Sequence, residues 1–264
     1  MERFARNFLH FFATQCLESI TAGVIDDYVS HRMAQGIKGY SALKEVSALS
    51  VIFNHAIARH IIVKNPCTSV IKDLRKMYPE SQLVKYLEPE VVKALLAALE
   101  QAVLDKRIPL VYADLARVQL ATGLRCTACC HLDWSWIDAN GIISVPPEWD
   151  KAKSGYRCCI TESGRAVLER RKRDYGPEGL VFPNTKVDHS WHWLERVCKH
   201  YHVPIPDRFN HRLRHTLATT MVDHGVDLQI IGSQLGHHNY KTTQIYAKVR
   251  EQAKVKAMKT ICFD

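Results

Sequence analysis

Apolar residues recur at helical spacing along most of this chain, and at strand spacing in one short stretch. Between Ser41 and His60, Leu43, Val46, Leu49, Phe53 and Ile57 fall three or four apart, so one stripe of a helix is apolar. Upstream, Thr21 is placed to cap a helix running through Val24, Ile25, Tyr28 and Val29 to about Gln35, with Gly36 as its stop. Asn65-Pro66 closes this region, because a residue before proline is pushed out of the helical conformation. Residues 1–72 therefore read as a helical domain. Residues 73–86 hold Arg75-Lys76, Pro79 and Ser81 with little periodicity; they read as an interdomain linker, leaving 87–264 as a second domain.

The second domain opens on Leu87-Glu88-Pro89-Glu90, with proline at the first helical position. Pro109 to Leu120 reads as a further helix closed by Gly123, and Arg125 stands at the corner that follows. The period then changes. Leu132–Ile137, Ile142–Val145 and Tyr156–Thr161 read as three short strands, with Asp138-Ala139-Asn140-Gly141 as the first turn and Lys153-Ser154-Gly155 in the second. Thr161 caps a basic helix carrying Arg165, Arg170, Arg171, Lys172 and Arg173, and Ser190 starts another through Trp191, Trp193, Leu194 and Val197. Toward the end, Val226-Asp227 to Leu235 and Asn239 to Lys248 have the outline of a helix-turn-helix, with Asn239 as the second cap. Ala247 to Ile261 has helical character as a tail. The expected class is mainly α with a small antiparallel β-sheet, α+β.

Composition narrows the partner. A length of 264 residues suffices for two modest cores, and 47% hydrophobic content excludes a disordered chain. The net charge of +9 and pI of about 9.1 favour a polyanion. On the polar faces of the first domain, Arg32, Lys38, Lys44 and Arg59 are candidates for phosphate contact, each with an ordinary solvated charge as the alternative. No run of about 18 apolar residues is present to span a membrane. Nine cysteines, an odd number with adjacent pairs, suit a reducing cytoplasm better than a disulfide framework. Cys126, Cys129 and Cys130 hint at zinc but lack a second ligand pair, and Cys158 and Cys159 would point to opposite faces of a strand. These thiols read as core residues, with no metal.

The chemistry concentrates between His211 and Tyr246. His211-Arg212-Leu213-Arg214-His215-Thr216 is followed by an apolar helical run, then Leu235-Gly236-His237, then Ile245-Tyr246. His211 and Arg214 are three apart and share a helix face. Arginine offers a planar fork to a phosphate, histidine exchanges a proton near neutral pH, and a tyrosine hydroxyl beside both suggests a nucleophile aimed at a phosphodiester. Alternatives stay open: His211, His215 and His224 as metal ligands, though no H-E-x-x-H glutamate accompanies them, and Tyr246 as a core aromatic beside Ile245.

The H-x-x-R-H-T, L-G-H and terminal tyrosine resemble the tyrosine recombinases of the phage-integrase family. An earlier arginine after a Thr-Gly turn matches in Ala121-Thr122-Gly123-Leu124-Arg125, and a hairpin lysine in Lys151-Ala152-Lys153-Ser154-Gly155. The resemblance covers most of the chain. It implies a helical core-binding domain followed by a catalytic domain, acting on double-stranded DNA through a 3′-phosphotyrosine to integrate or excise a mobile element. It also implies a homo-oligomer, a tetramer in the synaptic complex, and neither metal nor nucleotide as cofactor. The roles it implies are Arg125 and Arg214 on the phosphate, Tyr246 as nucleophile, His211 as general base, His237 as hydrogen-bond donor and Lys153 as acid to the leaving oxygen. Lys151 is the rival acid, since residues two apart on an extended loop face alike; otherwise it is a phosphate contact. His215 is assigned to the core or to a supporting role. The family carries an acidic residue three positions after the first arginine; here that position is Ala128, with Asp114 and Asp133 as candidate replacements. The chain begins almost directly at the core-binding region, with no separate arm-site domain expected before it. A helix-turn-helix regulator without catalysis and a type IB topoisomerase are the competing readings.

Overall fold

A computed structural model of the chain describes residues 2–79, 85–204, 209–239 and 243–247. The polypeptide divides into two compact units, Met1–Gln82 and Leu83–Asp264. It is mostly helical with a small antiparallel sheet, as the hydrophobic pattern indicates. No helix among the described residues is long and apolar enough to cross a membrane.

Among its described residues the first unit has four α-helices, α1 (Glu2–Phe12), α2 (Ala22–Ala34), α3 (Gly39–Ala58) and α4 (Cys67–Met77). Thr21 caps α2, its hydroxyl accepting the Val24 N–H at 3.4 Å. Phe8, Phe12, Ile25, Tyr28, Val46 and Phe53 form the core. A polar knot lies within it. The buried Glu45 carboxylate accepts from the Tyr28 hydroxyl at 2.5 Å and from two nitrogens of Arg32 at 2.8 Å each. Arg32, expected from the sequence to contact phosphate, is instead committed to a buried carboxylate. Lys38, Lys44 and Arg59 are exposed on α3 or at its ends. Asn65 turns the chain from α3 into α4: its amide donates to the Ser50 carbonyl at 3.0 Å and its oxygen accepts the Cys67 N–H at 2.9 Å. Residues 73–77, expected in the linker, are the last turns of α4, because Leu74 is buried against the core. Residues 80–84 of that linker lie outside the described residues.

The second unit wraps around α6 (Leu110–Thr122), which is buried along its length, the polar Asp114, Gln119 and Thr122 included. It is packed by α5 (Pro89–Leu104), α8 (Glu162–Tyr175), α9 (Val187–His200) and α10 (Phe209–Asp223). The short α7 (Cys126–Cys130) follows the Gly123 corner, and α11 (Leu228–Gln234) follows α10. Two strands pair antiparallel, β1 (Ile143–Val145) and β2 (Tyr156–Cys158), with Ile143 opposite Cys158 and Val145 opposite Tyr156. The third expected strand, Leu132–Ile137, is instead a 3₁₀ turn at Trp134–Trp136 flanked by isolated bridges. Asp133 makes the difference: its carboxylate accepts the Ser135 N–H at 2.9 Å and curls the chain away from the ladder. Helix α9 starts at Val187, ahead of the expected Ser190. Residues 240–242 and 248–264 lie outside the described residues, and with them nearly all of the expected tail; of the helix expected from Asn239 to Lys248, the described part holds a 3₁₀ turn at Gln244–Tyr246.

Candidate active site

The site is built on two backbone corners that only glycine closes. Helix α6 ends at Gly123, which has φ 70°; a Cβ there would lie 2.8 Å from Leu235 and 3.1 Å from Leu217. Helix α11 ends in a Schellman motif at Gly236, φ 61°, with the His237 N–H bonded to the Gly232 carbonyl at 2.8 Å and the Gly236 N–H to the Ser233 carbonyl at 3.0 Å. A Cβ on Gly236 would lie 2.5 Å from the Tyr156 ring, so the α11 end seats directly on β2.

Arg214 joins the two corners. Rising from α10 and 5% exposed, it donates from Nη1 to the Gly123 carbonyl at 2.7 Å and from Nη2 to the Leu235 carbonyl. One side chain thus ties the residue two before Arg125 to the residue two before His237. Gln234 reinforces the arrangement: its amide donates to the Thr122 carbonyl at 2.9 Å and the Cys159 carbonyl at 2.8 Å, and its oxygen accepts the Cys159 N–H at 2.9 Å. Nothing in the sequence around Gln234 signals this staple.

His237 is part-buried, with Nδ1 3.0 Å from the Thr243 hydroxyl. Burial, followed by the charges of Arg214 and Arg125, pushes its pKa down to about 3, so the ring is neutral at physiological pH. Tyr246 closes a 3₁₀ turn, Gln244–Tyr246, and its ring is fully buried. Its hydroxyl lies 2.6 Å from Nδ1 of His215, one helical turn beyond His211 on α10. Burial raises the Tyr246 pKa, with Arg214 pulling the other way. Burial first, then the charges of His211, Arg214 and Arg212, lower that of His215 to about 4. A protonated tyrosine facing a neutral histidine donates its hydrogen bond to the ring. The structure thus puts His215 on the tyrosine oxygen, where sequence reasoning places it in support; His211 is exposed on the first turn of α10.

Arg125 caps α7 and is a quarter exposed; its Nη1 donates to the Asp150 carboxylate at 3.2 Å. Neither carboxylate expected to stand in for Ala128 does so. Asp114 is held by Arg170 at 2.5 Å and Arg171 at 3.1 Å, and Asp133 caps its own turn. The hairpin between the strands carries Lys151 and Lys153, both exposed. Its tip is a turn rather than an extended stretch: the Lys153 N–H bonds the Asp150 carbonyl at 3.1 Å, and Lys153 and Gly155 have φ 61° and 70°. The alternation of extended chain therefore does not set which way the two lysines face. Cys126, Cys129, Cys130 and Cys158 are buried while Cys159 is exposed, and burial pushes the Cys158 thiol up to about 12.

Residues 85–253 match the model of the phage integrase family. The chain belongs to that family. The chain is 29% identical over 257 residues to tyrosine recombinase XerD of Pasteurella multocida, covering 90% of this chain and 82% of that one. It is 24% identical to the ICEBs1 integrase of Bacillus subtilis, covering 88% and 68%. It shares its fold with the Tn1549 transposon integrase in complex with circular intermediate DNA, at a TM-score of 0.76 and 18% identity over 96% of this chain and 91% of that one. The protein is a DNA breaking-and-rejoining enzyme of the tyrosine-recombinase type, and neither the non-catalytic regulator nor the topoisomerase reading is favoured.

Proposed function

We propose that Arg125, Lys153, His211, Arg214, His215, His237 and Tyr246 form the reaction centre of a site-specific recombinase that works on duplex DNA as a homo-oligomer, a tetramer in the synaptic complex. The observation that carries the reading is the double anchorage of Arg214, which draws the Arg125 corner and the His237 corner onto one helix. A phosphodiester resists attack because it is anionic, so a site must neutralise its non-bridging oxygens as charge builds in the transition state. Arg214 has five N–H donors and gives two to carbonyls; the rest, with those of Arg125, serve the phosphate. With the Thr243 hydroxyl donating to Nδ1, neutral His237 carries its proton on Nε2 and donates it to a phosphate oxygen.

Tyr246 Oη attacks phosphorus in line. The Oη–P bond forms as the P–O5′ bond breaks, the phenol proton passes to His215 Nδ1, and the departing O5′ takes a proton from a hairpin lysine, Lys153 in preference to Lys151. The products are a 3′-phosphotyrosine and a free 5′-hydroxyl, and attack by the 5′-hydroxyl of another strand reverses each transfer. His211, exposed on the first turn of α10, then offers a ring nitrogen near the phosphate rather than taking the tyrosine proton. Lys38, Lys44, Arg59 and Lys151 remain backbone contacts in this reading, and Arg32 serves the core of its own unit. The test is a denaturing gel of the protein with a nicked suicide duplex. A covalent protein–DNA band is expected from the native chain and none from Tyr246→Phe, which keeps the ring; equal adduct in the Phe variant refutes the nucleophile.

A further inference from the structure

We propose that Asp150 is the positioning residue of this site, holding the Arg125 guanidinium and the lysine hairpin in one frame and so doing the work that Ala128 cannot. The proposal rests on the recombinase reading of the site. Ala128 lies three residues after Arg125, is fully buried and offers a methyl group. Asp150 is 25 residues from Arg125 in sequence, yet its carboxylate, with no exposed side-chain surface, is the acid that meets that arginine.

The carboxylate is saturated. One oxygen accepts from Arg125 at 3.2 Å. The other faces the Ser154 hydroxyl at 3.3 Å and His238 Nε2 at 3.0 Å. Burial alone would raise its pKa, but the backbone N–H groups of Ala152 and Ser154, with His238, outweigh it and hold the group ionised. These partners come from three places that the reaction must keep in register: the α7 corner, the tip bearing Lys151 and Lys153, and the residue after His237. Asp150 also accepts the Lys153 N–H on its own carbonyl, so it starts the turn that presents the lysine. Its placement is itself fixed, since the preceding Trp149 ring stacks on His131 at the end of α7, with centroids 3.8 Å apart and planes 17° from parallel. Arginine is long and rotamer-rich, and one bond from Nη1 to a buried carboxylate orients the rest of its fork outward.

A positioning role is separable from a structural one by the charge of the substrate. In single-turnover cleavage of a nicked duplex, Asp150→Asn is expected to be about a hundredfold slower on an ordinary phosphodiester, the usual cost of a misplaced group. On the same duplex with a methyl group replacing a non-bridging oxygen, the scissile centre carries no charge to neutralise, and the loss is expected to shrink to a few-fold. Arg125→Ala should show the same contrast, and adding Asp150→Asn to Arg125→Ala should cost much less than it does in the native chain, leaving only the share that acts through the hairpin. Asp150→Glu, which keeps the charge but shifts it by a methylene, should repeat the substrate contrast and serves where the Asn variant does not fold by thermal melting. Equal losses on both substrates, or additive losses in the double variant, overturn the proposal. If Arg125→Ala cleaves both substrates normally, the recombinase reading of the site fails, and the proposal with it.

Discussion

Replacing His215 with alanine separates two assignments of the proton acceptor, because the structure and the sequence pattern point to different histidines. In the resting protein the Tyr246 hydroxyl sits 2.6 Å from His215 Nδ1. The tyrosine pKa lies above its ordinary value near 10, and that of His215 near 4. With one pKa above its ordinary value and the other below, complete transfer in the free protein is uphill. The pair therefore stays neutral until DNA binds, and the proton moves only as the oxygen–phosphorus bond forms and acidifies the phenol. Loss of a general base costs about a hundredfold to ten-thousandfold, or about 3–5 kcal/mol of barrier. Leaving the buried tyrosine hydroxyl without its partner costs about 1–3 kcal/mol of stability. His215→Ala should thus melt somewhat below the native temperature but stay folded at the assay temperature, while single-turnover cleavage of a nicked duplex falls at least a hundredfold. The pH profile adds a second mark. Native cleavage should be flat above about pH 5, where His215 is already neutral, whereas the variant should gain rate with rising pH as hydroxide takes over the proton. A loss below tenfold with a flat profile, or a larger loss in His211→Ala, would refute the assignment to His215.

Arg214→Ala should slow cleavage by about 3–4 kcal/mol of barrier, the worth of an oxyanion-type donor, and also destabilise the fold by freeing the Gly123 and Leu235 carbonyls; less than a tenfold rate loss argues against a phosphate role. Lys153→Ala should lose cleavage on a normal strand and regain it when the bridging 5′-oxygen is sulfur, which departs unprotonated, while Lys151→Ala shows a salt-dependent binding defect; the reverse pattern moves the acid to Lys151. His215 and His237 are neutral in the fold down to about 4 and 3, whereas an unfolded histidine takes its proton near 6.5. Between those limits the unfolded state binds more protons, so stability falls as pH falls from 6.5 toward 4. In denaturant melts, His215→Gln should lower that slope by up to one proton, about 1.4 kcal/mol per pH unit; an unchanged slope refutes the burial of the ring.

What could be read from the chain is what depends on neighbours in sequence. The apolar stripe of α3, the Thr21 and Thr161 caps and the left-handed Gly123 stop all show locally, and the structure has each of them. Two local readings failed because a polar side chain or a packing contact overrode the pattern: the Asp133 cap turned a strand into a 3₁₀ turn, and Leu74 drew the linker's start into α4. The site's supports were less legible. His215 meets Tyr246 across 31 residues, Asp150 meets Arg125 across 25, and Gln234 reaches Thr122 across 112. Such contacts leave no spacing to detect; only the fold brings the partners together.

The Asp114 cluster bears on how the protein senses ionic strength. One buried carboxylate holds Arg170 and Arg171 of α8, with Arg117 at 3.7 Å, and Glu45 similarly holds Arg32. Salt weakens DNA binding in proportion to the counterions displaced from phosphates, about 0.9 per phosphate neutralised. An arginine whose charge is already paired with a buried carboxylate displaces few. Of the five basic residues of α8, Arg170 and Arg171 are therefore muted in a plot of log affinity against log salt. The slope of that plot counts solvent-facing lysines and arginines, and it will fall well short of what the formal tally of cations suggests.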